Sequence, residues 1–114
     1  MQETYIEEIL KELTLEEKIG MIHGAGLFRT EGVERLSIPP LYMSDGPMGV
    51  RAEFADNEWR NVGTTEDYVT YLPCNSAIAS TWNRALAKKA GEVLGEEARG
   101  RGKDVILAPG INIK

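Results

Sequence analysis

The residue best placed for chemistry is Asp45, which stands in the segment Ser44-Asp45-Gly46-Pro47 directly after a short apolar run. A carboxylate at the end of a parallel strand can accept two O–H bonds from neighbouring hydroxyls of a ligand. An aspartate before Gly-Pro is also typical of a turn, in which its side chain accepts hydrogen bonds from nearby backbone N–H groups. Taken alone, the local pattern favours the turn, and both interpretations stay open.

Arg51 is a second candidate, because its guanidinium offers several donors to sugar oxygens or to a carboxylate. Spacing alone favours a solvated arginine at this position. Three aromatic residues follow on a long loop, namely Trp59, Tyr68 and Tyr71. They can form a stacking wall for a sugar ring or another flat apolar face, or they can anchor the loop to its own domain.

Other residue types give no catalytic arrangement. His23 is the only histidine, and its place at the end of a predicted helix is explained by the helix dipole. Neighbouring carboxylates on a helix point about 100° apart, so they do not face each other and are expected to be solvated. These pairs are Glu16 with Glu17, Glu66 with Asp67, and Glu96 with Glu97.

No cofactor and no metal are expected. Cys74 is the only cysteine, which excludes an internal disulfide and a multi-cysteine zinc site. The glycines form neither a dinucleotide fingerprint nor a Walker motif, so nucleotide binding is disfavoured.

Composition narrows the class of protein further. The 114 residues are 42% hydrophobic and 27% charged, with a formal net charge of -5, which is typical of a globular domain without a nucleic-acid surface. No apolar run reaches the ~20 residues of a membrane helix, and no secretory signal pattern is found. We expect no membrane association and a cytoplasmic location.

The elements that would position Asp45 follow from hydrophobic periodicity. Apolar residues at helical spacing predict an amphipathic helix from Thr4 to Leu13. Thr14 and Glu17 form a capping-box pattern, which predicts the start of a second helix that ends near His23.

The second half of the chain follows the order strand, long loop, helix, strand. Strands are predicted over residues 41–44 and 104–108, with a long loop over 48–71 and a helix that begins after Asn83. This order is typical of a parallel α/β sheet, whose ligands bind at the carboxyl ends of the strands. Those ends are marked here by Asp45 and Asn112.

Several segments in this order together resemble the N-terminal part of family 3 glycoside hydrolases of the β-glucosidase type. They cover nearly the whole chain and comprise residues 13–19, Gly32-Val33, residues 36–39, residues 44–51, Leu72-Pro73 with Ala77 and Ala79, residues 81–83, residues 95–99, and residues 107–113.

The resemblance implies that residues 1–114 are the N-terminal fragment of a (β/α)8 barrel domain, preceded by two helices. A complete barrel needs ~250 residues, so the chain can hold only the first few βα units of an incomplete barrel. It also implies that Asp45 binds hydroxyls of the terminal sugar and that Arg51 lines the same subsite.

The nucleophile and the acid/base carboxylate of the family are expected beyond Lys114, so this chain carries no catalytic residue of its own. The parent is expected to be a retaining exo-β-glycosidase that removes terminal β-D-glucosyl residues from a β-glucoside or oligosaccharide. The isolated chain is expected to be inactive. The remainder of the parent chain is the expected partner, with a homo-oligomer as an open alternative.

Two other functions stay open. A β-xylosidase of the same family is the nearest alternative, since the residues that shape the pocket around the sugar C6 are mostly absent from this chain. Alternatively, the chain is a non-catalytic module that binds sugar or assembles with another chain.

Overall fold

The computed structural model describes residues 2–52, 54–55, 57–60, 62 and 68–111. The chain divides into two compact units, Met1–Leu41 and Tyr42–Lys114. Each unit has its own secondary structure and its own buried residues, and each is described by itself.

The first unit contains helices α1 (Gln2–Glu12) and α2 (Leu15–Met21), followed by a 3-10 helix (Glu34–Leu36). The predicted capping box is confirmed, because the Glu17 N–H donates to Thr14 Oγ1 at 3.2 Å and the Thr14 N–H donates to Glu17 Oε2 at 2.8 Å. Helix α2 ends two residues before His23, close to its predicted end.

Arg35 joins the 3-10 helix to the start of α2. Its Nε and Nη2 donate to the Glu17 carboxylate at 2.7 and 2.6 Å, and Nη2 also donates to the Glu12 carbonyl at 2.8 Å. The expectation that Glu17 is simply solvated is therefore wrong. Hydrogen bonds from Arg35 and from the Thr14 N–H lower the pKa of Glu17 from its ordinary 4.5 to about 2, since both favour the charged form.

The second unit contains strand β1 (Met43–Ser44), helices α3 (Asn75–Ser80) and α4 (Arg84–Gly100), and strand β2 (Val105–Ile106). The two strands are parallel, as predicted. Both are shorter than the predicted ranges 41–44 and 104–108. Met43 is level with Val105, and Ser44 is level with Ile106. Asn112, the polar residue expected to mark the end of the second strand, lies outside the described residues.

Helix α4 begins as predicted, because the Asn83 side chain accepts a hydrogen bond from the Leu86 N–H at 3.1 Å. Its apolar stripe buries Leu94 and Ala98 against Val50. Val69, Leu72, Ile106 and Ala108 pack around these three residues. The helix therefore fixes β2 and the loop after β1 to one small core.

Trp82, which precedes α4, is 93% exposed, although a tryptophan beside a helix is usually largely buried. It occupies the connection between α3 and α4 with a φ of +52°, where the turn carries its side chain away from the core.

The described part of the chain holds no helix with the length and apolarity needed to cross a bilayer.

The capping network generates a titration prediction. Because the pKa of Glu17 is lower in the folded chain than its ordinary 4.5, the network stabilises the fold above about pH 4.5. That stabilisation is lost as the pH falls from about 4.5 towards 2. We expect Arg35→Gln to raise the pKa of Glu17 towards 4.5, as followed by ¹³C NMR of the glutamate carboxyl carbons.

Arg29→Gln is the matched control, since Arg29 lies 3.8 Å from Glu31 and contributes nothing to the Glu17 network. It is expected to leave the titration of Glu17 unchanged. A pKa near 4.5 for Glu17 in the unmodified chain would contradict this account of the capping network.

Candidate functional site

Asp45 follows β1 directly and is exposed, whereas Ser44 before it is fully buried. The main-chain carbonyl of Asp45 accepts hydrogen bonds from Ser44 Oγ at 3.0 Å and from the Arg51 N–H at 3.3 Å. In the described part of the chain, no backbone N–H donates to the Asp45 carboxylate. The turn is thus closed by the main chain, and the carboxylate is left accessible to a ligand.

Two glycines give the turn after Asp45 its shape. Gly46 has a φ of +119° and Gly49 a φ of +151°, conformations that side chains strongly disfavour. A Cβ on Gly46 would lie 1.9 Å from the Gly49 carbonyl oxygen, and one on Gly49 would lie 2.8 Å from the carbonyl oxygen of Thr70. The backbone therefore folds back on itself so closely that no side chain fits. We call residues 45–51 the Asp45 turn.

The Asp45 turn is tied to its surroundings at three places. Val50, only 2% exposed, inserts into the core formed with α4. The Leu72 N–H donates to the Met48 carbonyl at 2.7 Å. Arg101, at the end of α4, donates from Nη1 to the carbonyls of Val50 and Arg51 at 3.3 and 2.6 Å. The position of Asp45 is consequently set by the core and not by the long loop alone.

Arg51 is half-buried and engaged, unlike the solvated arginine that its spacing favoured. Its Nη1 donates to the Ala52 carbonyl at 2.7 Å, and its guanidinium carbon lies 4.7 Å from the centre of the Phe54 ring. The structure joins it to Asp45 through the main chain, so both predicted site residues belong to one turn.

The aromatic residues of the long loop divide into two groups. Trp59 packs edge-on against Phe54, with ring centres 5.4 Å apart and planes inclined by 72°. This contact joins two residues of the same loop, and Trp59 is 70% exposed, so its role as an anchor or as a stacking surface stays a prediction. Tyr68 and Tyr71 are exposed and carry their rings on the surface, where a stacking role stays a prediction.

Glu97 is the residue near the site that sequence reasoning missed, since it was expected to be solvated. Its carboxylate accepts hydrogen bonds from the Thr70 N–H at 2.9 and 3.0 Å and from Thr70 Oγ1 at 2.7 Å. The two residues are 27 positions apart, and no local pattern pairs a helical glutamate with a threonine in a loop. Only the folded chain brings them together.

The other candidate residues do not contribute to this site. His23 belongs to the first unit, where its Nδ1 lies 2.8 Å from the Gly24 carbonyl. Hydrogen bonds from Ser76 and from nearby N–H groups lower the pKa of the exposed Cys74 thiol. Within the residues that the structure describes, no three His, Cys, Asp or Glu side chains come together as a metal site.

A groove of about 610 Å³ lies in the second unit, between α3, α4 and the segment that follows β2, and Pro47 of the Asp45 turn also lines it. We call it the α3–α4 groove. Its lining is mostly apolar and includes Leu72, Ile78, Ala87, Leu94, Ile106 and Ile111, but neither Asp45 nor Arg51. A mostly apolar lining offers few hydrogen-bonding partners to a polar ligand and is typical of a surface that packs against other protein.

The chain is similar in sequence to several β-glucosidases. The chain is 47% identical to a β-glucosidase of Bacteroides ovatus over 111 residues, which is 97% of this chain and 15% of that protein. It is 38% identical to the thermostable β-glucosidase B of Acetivibrio thermocellus over 109 residues, or 96% of this chain and 14% of that protein. No profile of a known protein family matches the chain.

Solved structures agree with the sequence relatives. β-Glucosidase 3B of Thermotoga neapolitana in complex with α-D-glucose aligns at a TM-score of 0.78 and 36% identity, over 96% of this chain and 17% of that one. A β-glucosidase of Kluyveromyces marxianus in complex with glucose aligns at 0.74 and 31%, over 91% of this chain and 12% of that one. The chain thus spans 15% and 14% of the first two curated relatives.

The shape of the Asp45 turn leads to a prediction about its glycines. We expect Gly46→Ala to lower the free energy of unfolding by about 2 kcal/mol or more, because it combines a positive φ with a steric clash. Urea unfolding followed by tryptophan fluorescence measures the change. Gly95→Ala is the matched control, since a Cβ there meets nothing within 4 Å, and we expect a gain of roughly 0.5–1 kcal/mol. Equal effects of the two substitutions would be inconsistent with the turn described.

Proposed function

Because the chain belongs to family 3 of the glycoside hydrolases and matches the N-terminal portion of its β-glucosidases, we propose that the whole protein hydrolyses terminal β-D-glucosyl residues. The observation that carries this proposal is an exposed carboxylate, Asp45, on a rigid turn at the carboxyl end of a parallel strand. Similarity to a structure with bound glucose supports a glucoside as the substrate over a xyloside.

In this proposal Asp45 binds two neighbouring hydroxyls of the terminal sugar. A carboxylate accepts both O–H bonds at once, and its charge strengthens each of them. The sugar ring flattens and gains positive charge in the transition state of glycoside hydrolysis. A fixed negative group that holds the ring in this shape stabilises the transition state more than the ground state. Arg51, held on the Phe54 ring, lines the same subsite.

The bond-breaking groups are assigned to the rest of the whole protein. Retaining hydrolysis needs a nucleophile and an acid/base carboxylate about 5 Å apart. Several of the described carboxylates are already engaged in hydrogen bonds: Glu17 accepts from Arg35, and Glu97 accepts from Thr70. We therefore assign substrate binding, and no covalent step, to this chain.

The parallel strands β1 and β2, connected through α4, form the first βα units of a (β/α)8 barrel in this proposal. A parallel sheet is stable only when helices and further strands cover it. The α3–α4 groove is the matching apolar surface on this chain, and the remainder of the whole protein is its proposed occupant. A barrel also places its ligands at the carboxyl ends of its strands, where Asp45 lies.

The role of Asp45 is tested by Asp45→Asn in the whole protein. The substitution keeps the shape but removes the charge, so we expect kcat/KM for a chromogenic β-glucoside to fall by about 10²–10³. The β-xyloside measured in parallel identifies the preferred sugar. Glu96→Gln on α4, an exposed carboxylate, is the control and is expected to leave kcat/KM unchanged. An unchanged value for Asp45→Asn would overturn the assigned role.

The division of labour between this chain and the rest of the protein is tested by producing the two parts separately. Alone, residues 1–114 are expected to release no product, to self-associate and to bind an apolar dye at the α3–α4 groove. Addition of the other part is expected to restore hydrolysis. Ala87→Glu, within the groove, should prevent this restoration, whereas Ala85→Glu, on the same helix outside the groove lining, should not.

A compact monomer that binds glucose without the other part would instead indicate a self-sufficient sugar-binding module. Turnover by the isolated chain above a denatured control would contradict the assignment of the chemistry to the rest of the protein.

A further inference from the structure

The last turn of α4 carries two charged side chains that both contact the surroundings of Asp45. Glu97 lies within α4, and Arg101 follows its end, so the two are four positions apart and on the same side of the helix. Their partners come from different parts of the loop region. Glu97 holds Thr70, and Arg101 holds the carbonyls of Val50 and Arg51.

The contact of Arg101 reaches Asp45 through one intervening residue, Arg51. Its Nη1 donates to the Arg51 carbonyl at 2.6 Å, and the N–H of the same Arg51 donates to the Asp45 carbonyl at 3.3 Å. The contact is partly buried, and a charged donor in such surroundings binds a carbonyl more strongly than in water. The closing hydrogen bond of the Asp45 turn therefore depends on where Arg101 places Arg51.

Glu97 supports the middle of the same turn through Thr70. Its three hydrogen bonds fix Thr70, and the Thr70 carbonyl lies against Gly49 so closely that a Cβ there would be 2.8 Å away. Two residues later, the Leu72 N–H donates to the Met48 carbonyl. The segment held by Glu97 is therefore the wall against which the middle of the Asp45 turn packs.

We propose that Arg101 and Glu97 are positioning residues for the sugar-binding carboxylate of Asp45. The inference rests on the function proposed for Asp45 and adds the helix that sets its place. Neither residue touches the substrate in this account, and both act through the turn. A displacement of about 1 Å at a binding group can reduce a rate by ~10²-fold, so weakened support is expected to affect hydrolysis before it affects folding.

The test uses the whole protein and a double-mutant cycle with a chromogenic β-glucoside. Arg101→Met is expected to lower kcat/KM about tenfold or more, and Arg101→Lys, which keeps a donor, is expected to recover part of the loss. Glu97→Gln is expected to reduce kcat/KM in the same direction. Lys89→Met on the exposed face of α4 is the control and is expected to have no effect.

The cycle separates positioning from a general structural role. If Arg101 acts through Asp45, Arg101→Met changes kcat/KM little further in the Asp45→Asn background, because the group that it positions has already lost its charge. Full additivity would overturn the positioning proposal while leaving the role of Asp45 intact. If Asp45→Asn alone has no effect, both the role of Asp45 and the positioning proposal are refuted.

Thermal unfolding midpoints of every variant accompany the kinetics. Should Arg101→Met fail to fold, the same cycle is run with Arg101→Lys. Additivity in that cycle overturns the proposal just as clearly, and a loss that disappears in the Asp45→Asn background supports it.

Discussion

The close approach of two stretches of backbone in the Asp45 turn is the constraint on which the second unit depends. The carbonyl of Gly49 occupies the space where a side chain on residue 46 would lie, and the carbonyl of Thr70 does the same for residue 49. This geometry leaves Val50 pointing into the core while Asp45, five residues earlier, stays exposed. One short turn thus connects an apolar contact that holds it with a charged group that can bind a ligand.

Helix α4 supplies both kinds of support for that turn. Leu94 and Ala98 pack on Val50, Glu97 accepts hydrogen bonds from Thr70, and Arg101 donates to the carbonyl of Arg51 within the turn. Apolar packing keeps the turn against the core, but it does not orient the turn, because the hydrophobic effect is non-directional and scales with the buried area. Hydrogen bonds add direction, because they weaken steeply when their angles change. The combination holds an exposed carboxylate in place although few of its neighbours are buried.

Most of the fold could be predicted from the sequence, because its signals are local. The capping box at Thr14, the N-cap at Asn83 and the apolar stripe of α4 all operate within a few residues, and the structure contains each of them. The site was predicted only in part. Asp45 and Arg51 could be singled out as candidates by type and place, but the contact of Glu97 with Thr70 joins residues 27 positions apart. The exposure of Trp82 likewise depends on a turn with a positive φ at that residue, which the neighbouring residue types do not predict.

The two surfaces of the second unit obey opposite physical requirements. A turn that binds a polar ligand needs accessible polar groups, whereas covering the apolar α3–α4 groove is favourable because it removes apolar surface from water. Covering the groove therefore also steadies α4, since Leu94 contributes both to the groove and to the core beneath the Asp45 turn. Association of the rest of the protein at the groove would be transmitted to Asp45 along one rigid helix. The chain spans 15% of a curated relative, and under the proposed function this coupling would give a physical reason for Asp45 to bind sugar only within the whole protein.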